Sequence, residues 1–399
     1  GPGRAHVDVY RYRVADTGAY MYRTNDYGQT WTRLETTGLE AGHFVRVIRE
    51  DPEREGLLFA GTENGLYVSF NGGDNWQSLQ RNLPITPITD LLIHQGDLVV
   101  ATQGRSFWIL DDLSPLREIT TQTIAADMHL YSPKNAIRSQ GVSPSGSAVY
   151  FALAEEPEEV LNLEFMDPQG DVVRVYSTEP NSWDVDAKTA IGRPANWSPS
   201  QLEAAQGLNR MTWDLREEGP GIIENAVFWG FAGRVPAVPG VYQVRLSMGD
   251  VSQTQSLRLL IDPRIAHEVT IEDLQIQHDL MVQVREMLRQ SHNIVRDVRS
   301  VRTQMTDIAQ TAKVAGYGDE FIEMADEAGE KLTGVEEEVF QTKNESGQDP
   351  LNFPSMLDGE IANLYGYISS TYDRPNAIAA VRANELAEEL EGHLQELQR

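Results

Sequence analysis

The sequence predicts a multidomain protein in which β structure precedes α structure. Blades of a partial β-propeller come first, then an Ig-like β-sandwich, then a C-terminal antiparallel helical bundle. Three observations predict this. Residues 1–120 are short apolar runs punctuated by Gly and Asn, and one unit in them recurs after about 45 residues, a period typical of propeller blades. Residues 146–265 keep alternating apolar runs but lose that repeat. From Thr270 onward, apolar residues recur at three- and four-residue steps, the signature of amphipathic helices.

In residues 1–120 the strand-like runs are Leu57–Ala60, Gly65–Val68 and Leu98–Ala101, each bounded by turn signals. The segment Thr24–Trp31 (TNDYGQTW) is echoed by Ser69–Trp76 (SFNGGDNW), and Ala101–Asp112 repeats the flanking strands without the full motif. Propellers close with 4–8 blades, so the blades visible here make an incomplete ring. Residues 121–145 show little pattern and read as a crossover segment.

Residues 146–265 carry Val160–Phe165 and Val172–Tyr176 around Asp167-Pro168-Gln169-Gly170-Asp171, which reads as a hairpin. Asn209–Leu215, Gly240–Leu246 and Gln255–Ile261 supply further strands, consistent with a small sandwich. Residues 180–207 and 217–237, rich in Pro, Gly and Asn, read as long loops. Thr270-Ile271-Glu272-Asp273 is a capping box. After it, Leu274, Met281, Val284, Leu288, Val295, Val298, Met305 and Ile308 mark one face of a helix of about 40 residues. Glu320–Lys343, Met356–Ser370 and a helix opened by Pro375 complete a four-helix arrangement for residues 266–399.

Composition narrows the function classes. The net charge of −27 repels nucleic acid and anionic membranes. The absence of cysteine removes disulfides, thiolate nucleophiles and cysteine metal sites together. No apolar run approaches the ~18–20 residues of a membrane span. The opening Gly1-Pro2-Gly3 reads as a tag remnant or cut site, so the natural chain is expected to continue upstream.

The repeated unit has the form of an Asp-box. Its Ser or Thr (Thr24, Ser69) caps a tight hairpin, and its Asp or Asn (Asp26, Asn71) bonds the turn amides. Its Gly (Gly28, Gly73) takes a positive φ, and its Trp (Trp31, Trp76) plugs the space between strands. These are structural demands and identify no activity. No complete catalytic constellation is present: HExxH, Gly-x-Ser-x-Gly and phosphate loops are all missing. Arg105, Asp111 and Asp112 near blade ends are weak catalytic candidates. Asp167 and Asp171 are weak calcium candidates, against a plain turn. Glu155, Glu156, Glu158 and Glu159 read as a solvated loop. His278 and His292 share a helix but stand about 21 Å apart, too far for one metal.

The run from His43 to Asp112 resembles the last blades of large bacterial proteins known as sortilin-like or BNR-repeat "glycosyl hydrolase" proteins. The matching pieces are Val47-Ile48-Arg49-Glu50-Asp51-Pro52, Leu58–Ser69 and Phe107–Asp112. The likeness continues through Pro239-Gly240-Val241-Tyr242 and Ile261-Asp262-Pro263-Arg264 to Leu351-Asn352-Phe353-Pro354 and Arg374-Pro375. It implies an exported protein of the bacterial envelope, periplasm, cell surface or medium. The residues and this resemblance favour a non-catalytic interaction or assembly module, with remaining propeller blades or other protein partners and no nucleic acid, membrane insertion or cofactor. Two alternatives stand beside it. One is an accessory part of a glycan- or peptide-processing enzyme whose active site lies upstream; the other is a sortilin-like peptide receptor.

Overall fold

A computed structural model describes residues 2–139, 146–179, 201–221, 223, 227, 234–316 and 319–397. Most of the two stretches read as long loops, 180–207 and 217–237, therefore lies outside the described residues. The chain forms two compact units, 1–134 and 135–399.

Unit 1 begins with three antiparallel sheets, each made of strands in chain order. The first holds β1 (Ala5–Asp8), β2 (Met21–Thr24) and β3 (Thr32–Arg33). The second holds β4 (Val45–Glu50), β5 (Leu58–Thr62), β6 (Leu66–Ser69) and β7 (Gln77–Ser78). The third holds β8 (Ile88–His94), β9 (Asp97–Thr102) and β10 (Phe107–Leu110). The leading strands β1, β4 and β8 lie side by side, so the sheets stack face to face like blades.

The middle sheet is covered on both faces, and its alternation shows how. Successive side chains of a strand point to opposite faces. Ile48, Leu58 and Ala60 cluster with Met21 and Leu34 of the first sheet, while Val47, Leu57 and Phe59 cluster with Ile88, Leu91 and Val100 of the third. All five residues of β5 are buried in consequence. At Gly61 the sheets approach so closely that a Cβ would stand 2.6 Å from Ile88 Cγ2 and 2.7 Å from Val47 Cγ1.

Beyond β10 come α1 (Ser114–Glu118), α2 (Thr121–Ala125) and β11 (Met128–Leu130). Helix α1 is tied back to the β4–β5 loop: Arg117 Nη2 reaches Asp51 Oδ2 at 3.0 Å, and Asp51 Oδ1 also accepts the amides of Glu53 and Arg54. Elements as short as α2 and β11 span too few residues to register as a period, which is why the sequence shows no pattern there.

In unit 2, β12 (Ala136–Arg138), β14 (Leu161–Met166), β15 (Val172–Ser177), β17 (Gly240–Met248) and β18 (Val251–Ile261) form a sheet in the order β12-β18-β17-β14-β15. Only β12 runs parallel to its neighbour; the other pairs are antiparallel. Strand β13 (Ser147–Leu153) pairs antiparallel with β16 (Gly207–Trp213). Trp213 joins the two layers. It is fully buried, stacks on Phe165 of β14 with centroids 4.5 Å apart, and meets Tyr242 of β17 at 5.3 Å. The Tyr242 hydroxyl donates to the Val238 carbonyl at 2.9 Å, as a corner tyrosine does in Greek-key sandwiches.

Four long helices follow: α3 (Ile271–Val314), α4 (Asp319–Val339), α5 (Leu357–Ser369) and α6 (Ala377–Leu397). Thr270 caps α3 through a reciprocal box with Asp273. Leu274 is buried, and Met281, Val284, Leu288, Val295 and Val298 are buried in the helical core. The stripe was expected to run on to Ile308, yet Ile308 is 55% exposed. In this part of α3 it is Met305 and Ala309 that face α4, across an open groove bordered by Ile322, Ala325 and Gly329. Buried Arg138 links sheet to helices, donating to the Ala237 carbonyl and to Gln277 Oε1, both at 3.1 Å.

Candidate functional site

The two copies of the repeated turn are built alike. Thr24 Oγ1 donates to Asp26 Oδ1 at 2.7 Å and accepts the Gly28 amide at 2.9 Å. Asp26 then accepts the Thr30 hydroxyl at 2.6 Å and the Thr30 amide at 2.9 Å, which hold its carboxyl down at about 2. In the second copy Ser69 Oγ donates to Asn71 Oδ1 at 2.9 Å and accepts the Gly73 amide at 2.9 Å, and Asn71 accepts the Asn75 amide at 3.0 Å. Gly28 and Gly73 sit at φ +87° and +96°, where a side chain is strained.

The tryptophans of the two copies differ. Trp76 is 3% exposed, packs with Met21 and Leu34 of the preceding sheet, and donates its indole N–H to the Glu35 carbonyl at 3.1 Å. Trp31 is 44% exposed. Among the described residues no sheet covers it as the first sheet covers Trp76.

The third sheet ends the stack at the other side. Its registers place Leu92 opposite Val99 and Val99 opposite Ile109, a row of three apolar side chains on one face. The opposite face, with Leu91 and Val100, is buried against the middle sheet. Leu92 and Ile109 are 58% and 59% exposed, and Phe107 beside them is 75% exposed. Strand β10 is also a sheet edge, with one side of its backbone unpaired. An apolar face joined to an open edge is the surface to which a further sheet adds.

The catalytic candidates are not brought together. Arg105 stands in the β9–β10 turn and Asp111 beyond the far end of β10, so the length of that four-residue strand, about 13 Å, lies between them. The Arg105 carbonyl accepts the Trp108 indole N–H at 2.9 Å. Asp112, at φ +61°, accepts the Ser114 amide at 2.9 Å and donates its own amide to Asp97 Oδ1 at 2.8 Å, shaping the turn into α1. Asp167 Oδ1 accepts the amides of Gln169 and Asp171, each at 2.9 Å, as a hairpin turn requires. The carboxylates of Glu155, Glu156, Glu158 and Glu159 are exposed on the β13–β14 connection. Elsewhere Glu338 of α4 and His393 and Glu396 of α6 bring ligand atoms within 4.8 Å of one another; both carboxylates are exposed.

Sequence reasoning missed the ion network of unit 2. Glu217, 8% exposed, accepts from Arg285 Nη1 at 2.8 Å and from His278 Nε2. Burial raises the carboxyl of Glu217, but the His278 hydrogen bond and the nearby cations outweigh it and lower the pKa overall. Burial lowers His278, and the Glu217 bond more than reverses that, leaving the imidazole raised. The only sequence signal is that His278 and Arg285 lie seven residues apart on one helix face beside the buried stripe. Nothing in sequence announces Glu217 as their partner.

No family model matches the chain, and no curated protein matches it. Among solved structures it is similar to YCF48 bound to D1 peptide, at 17% identity and TM-score 0.19, over 39% of this chain and 47% of that one. It is also similar to the extracellular domain of a hybrid two-component system from B. thetaiotaomicron, at 11% identity and TM-score 0.20, over 65% of this chain and 31% of that one. An ancestral GH74 enzyme aligns at 10% identity and TM-score 0.18, over 60% of this chain and 30% of that one. The chain thus spans less than half the length of each. At such TM-scores the blade-like stacking rests on this chain's own strand order and packing. No helix among the described residues is long and apolar enough to cross a membrane.

Proposed function

We propose that the chain is a non-catalytic interaction or assembly module whose first unit packs against further blade-type sheets of the same or another chain. The observation that carries this is the row Leu92, Val99 and Ile109, exposed at Leu92 and Ile109 and half-buried at Val99, with exposed Phe107 alongside, on a sheet whose other face already packs against a blade. Exposed Trp31 marks the equivalent need at the opposite end of the stack. Apolar faces of this kind are stable in water when another sheet removes them from it. The setting proposed is the bacterial envelope or beyond it, on the strength of the residues from His43 to Asp112 that resemble exported propeller proteins.

The test is native mass spectrometry with hydrogen exchange on the natural protein, beside a Phe107→Asp/Ile109→Asp variant. Protection of the β10 amides in the natural protein, with loss of that protection or of assembly in the variant, is the expected result. Rapid exchange at β10 in a monomeric natural protein, with unchanged behaviour of the variant, overturns the proposal.

A further inference from the structure

A cavity of unit 2 lies at the start of α5. It has a volume of about 150 Å³ and is lined by Phe340, Asn344, Phe353, Met356, Asp358 and Ala362 among others. A cavity of that size admits a small organic molecule rather than a single water.

Two acceptors stand on this cavity without a cation. Asp358, the second residue of α5, is 7% exposed. Backbone amides at Gly359 and at Asp358 itself are what its carboxylate meets; no Lys, Arg or His lies against it among the described residues. Asn344 Oδ1 is buried with no hydrogen-bond donor. A carboxylate at a helix start gains from the helix dipole in water as well, so the dipole gives no reason to bury it. Burying an uncompensated charge is costly, and an acceptor left unmade beside it adds to that cost. The remaining walls include Phe340, whose ring already lies under the Arg299 guanidinium at 5.4 Å, and Phe353, an aromatic ring of the kind that attracts cations.

We propose that this cavity is a binding site for a small primary alkylammonium group, taken up by the Asp358 carboxylate and Asn344 Oδ1 beside Phe353. An ammonium supplies the donor that Asn344 Oδ1 lacks and the charge that Asp358 lacks, and a short alkyl stem fits the apolar wall of Met356 and Ala362. Without a cation, burial pushes the Asp358 carboxyl up to about 7. A bound ammonium keeps it ionised at neutral pH. The same chemistry comes from a free amine or from a lysine side chain.

The experiment titrates the full chain at pH 7.5 with n-propylammonium chloride, 1-propanol and Nα-acetyl-lysine methylamide, followed by calorimetry and by NMR shifts of the α5 amides. Saturable binding of propylammonium, with propanol at least tenfold weaker, is the expected result. Asp358→Asn should weaken the amine at least tenfold while the circular-dichroism melt is retained. Asn344→Leu, in a half-buried loop, should weaken it several-fold and serves as the second variant if Asp358→Asn fails to fold. Binding of the lysine derivative as well assigns the site to a lysine side chain; binding of the free amine alone assigns it to a small amine. Equal binding of propanol, undiminished binding by either variant, or no saturable binding of either amine overturns the proposal.

Discussion

Trp31 and Trp76 occupy the same position in two copies of one hairpin turn, yet Trp76 is 3% exposed and Trp31 is 44% exposed. The turns themselves share the bonds from Thr24 or Ser69 to the Asp or Asn and from the Gly amide, and the first adds one from the Thr30 hydroxyl to Asp26. What separates the two rings is the sheet that lies over one of them. Trp76→Ala should therefore destabilise unit 1 by about 3–5 kcal/mol, the usual cost of removing a buried aromatic. Trp31→Ala in the same chain should cost less than about 1 kcal/mol. Urea unfolding of both variants checks this, and equal losses would contradict it.

Gly61 and Gly104 make a second contrast. At Gly61 a methyl group meets Ile88 and Val47 at under 3 Å in the packed interface between two sheets. At Gly104 it meets nothing within 4 Å, but φ is +78°. Gly61→Ala should cost about 1–3 kcal/mol by overpacking. Gly104→Ala should cost roughly 1 kcal/mol by backbone strain alone. A guanidinium titration of each variant separates steric from conformational cost.

Glu217 holds two cations in a buried setting, so removing it leaves Arg285 only the partly exposed Glu286 and His278 only the exposed Asp279 as carboxylate partners among the described residues. Glu217→Ala should destabilise unit 2 by about 3–5 kcal/mol. His278 has its pKa raised in the fold, so its share of the stability is present below its unfolded value and is lost as pH rises through the folded value. Glu217 has its pKa lowered, so its share is present above the ordinary carboxylate range and is lost as pH falls through the folded value. The pair thus supports the fold most between those limits, in mildly acidic solution. Melts of His278→Gln should lose that acid-side advantage relative to the natural residue.

His292 behaves in the opposite sense. It is fully buried, its Nδ1 lies 2.8 Å from the Gly221 carbonyl, and burial lowers its pKa to about 4, with Arg296 adding in the same direction. The imidazole is neutral at pH 7. As pH falls below 6.5 toward 4 the unfolded chain takes up a proton that the folded chain refuses, and stability drops by on the order of 3 kcal/mol. Asp358 runs counter to it, because its raised carboxyl stabilises the fold at low pH and that benefit fades as pH rises toward 7. His292→Gln should flatten the acid-side fall, and Asp358→Asn should steepen the net loss on acidification. A pH series of urea midpoints for the two single variants reads each effect by itself.

The sequence by itself determined whatever repeats or keeps a period. The Thr24 and Ser69 turns, the alternation along β14, the capping box at Thr270 and the stripe from Leu274 to Val298 are local properties, set by backbone bonding and side-chain spacing over a few residues. Tertiary structure alone decided which of these faces are covered. Ile308 continues the spacing of the α3 stripe but is 55% exposed, and Trp31 repeats Trp76 without a sheet above it. It also decided which charges meet. Glu217 and His278 lie 61 positions apart, and Arg105 and Asp111, close in sequence, are held apart by the length of β10. Burial and pairing depend on segments distant in the chain, and neither composition nor period encodes where those segments come to rest.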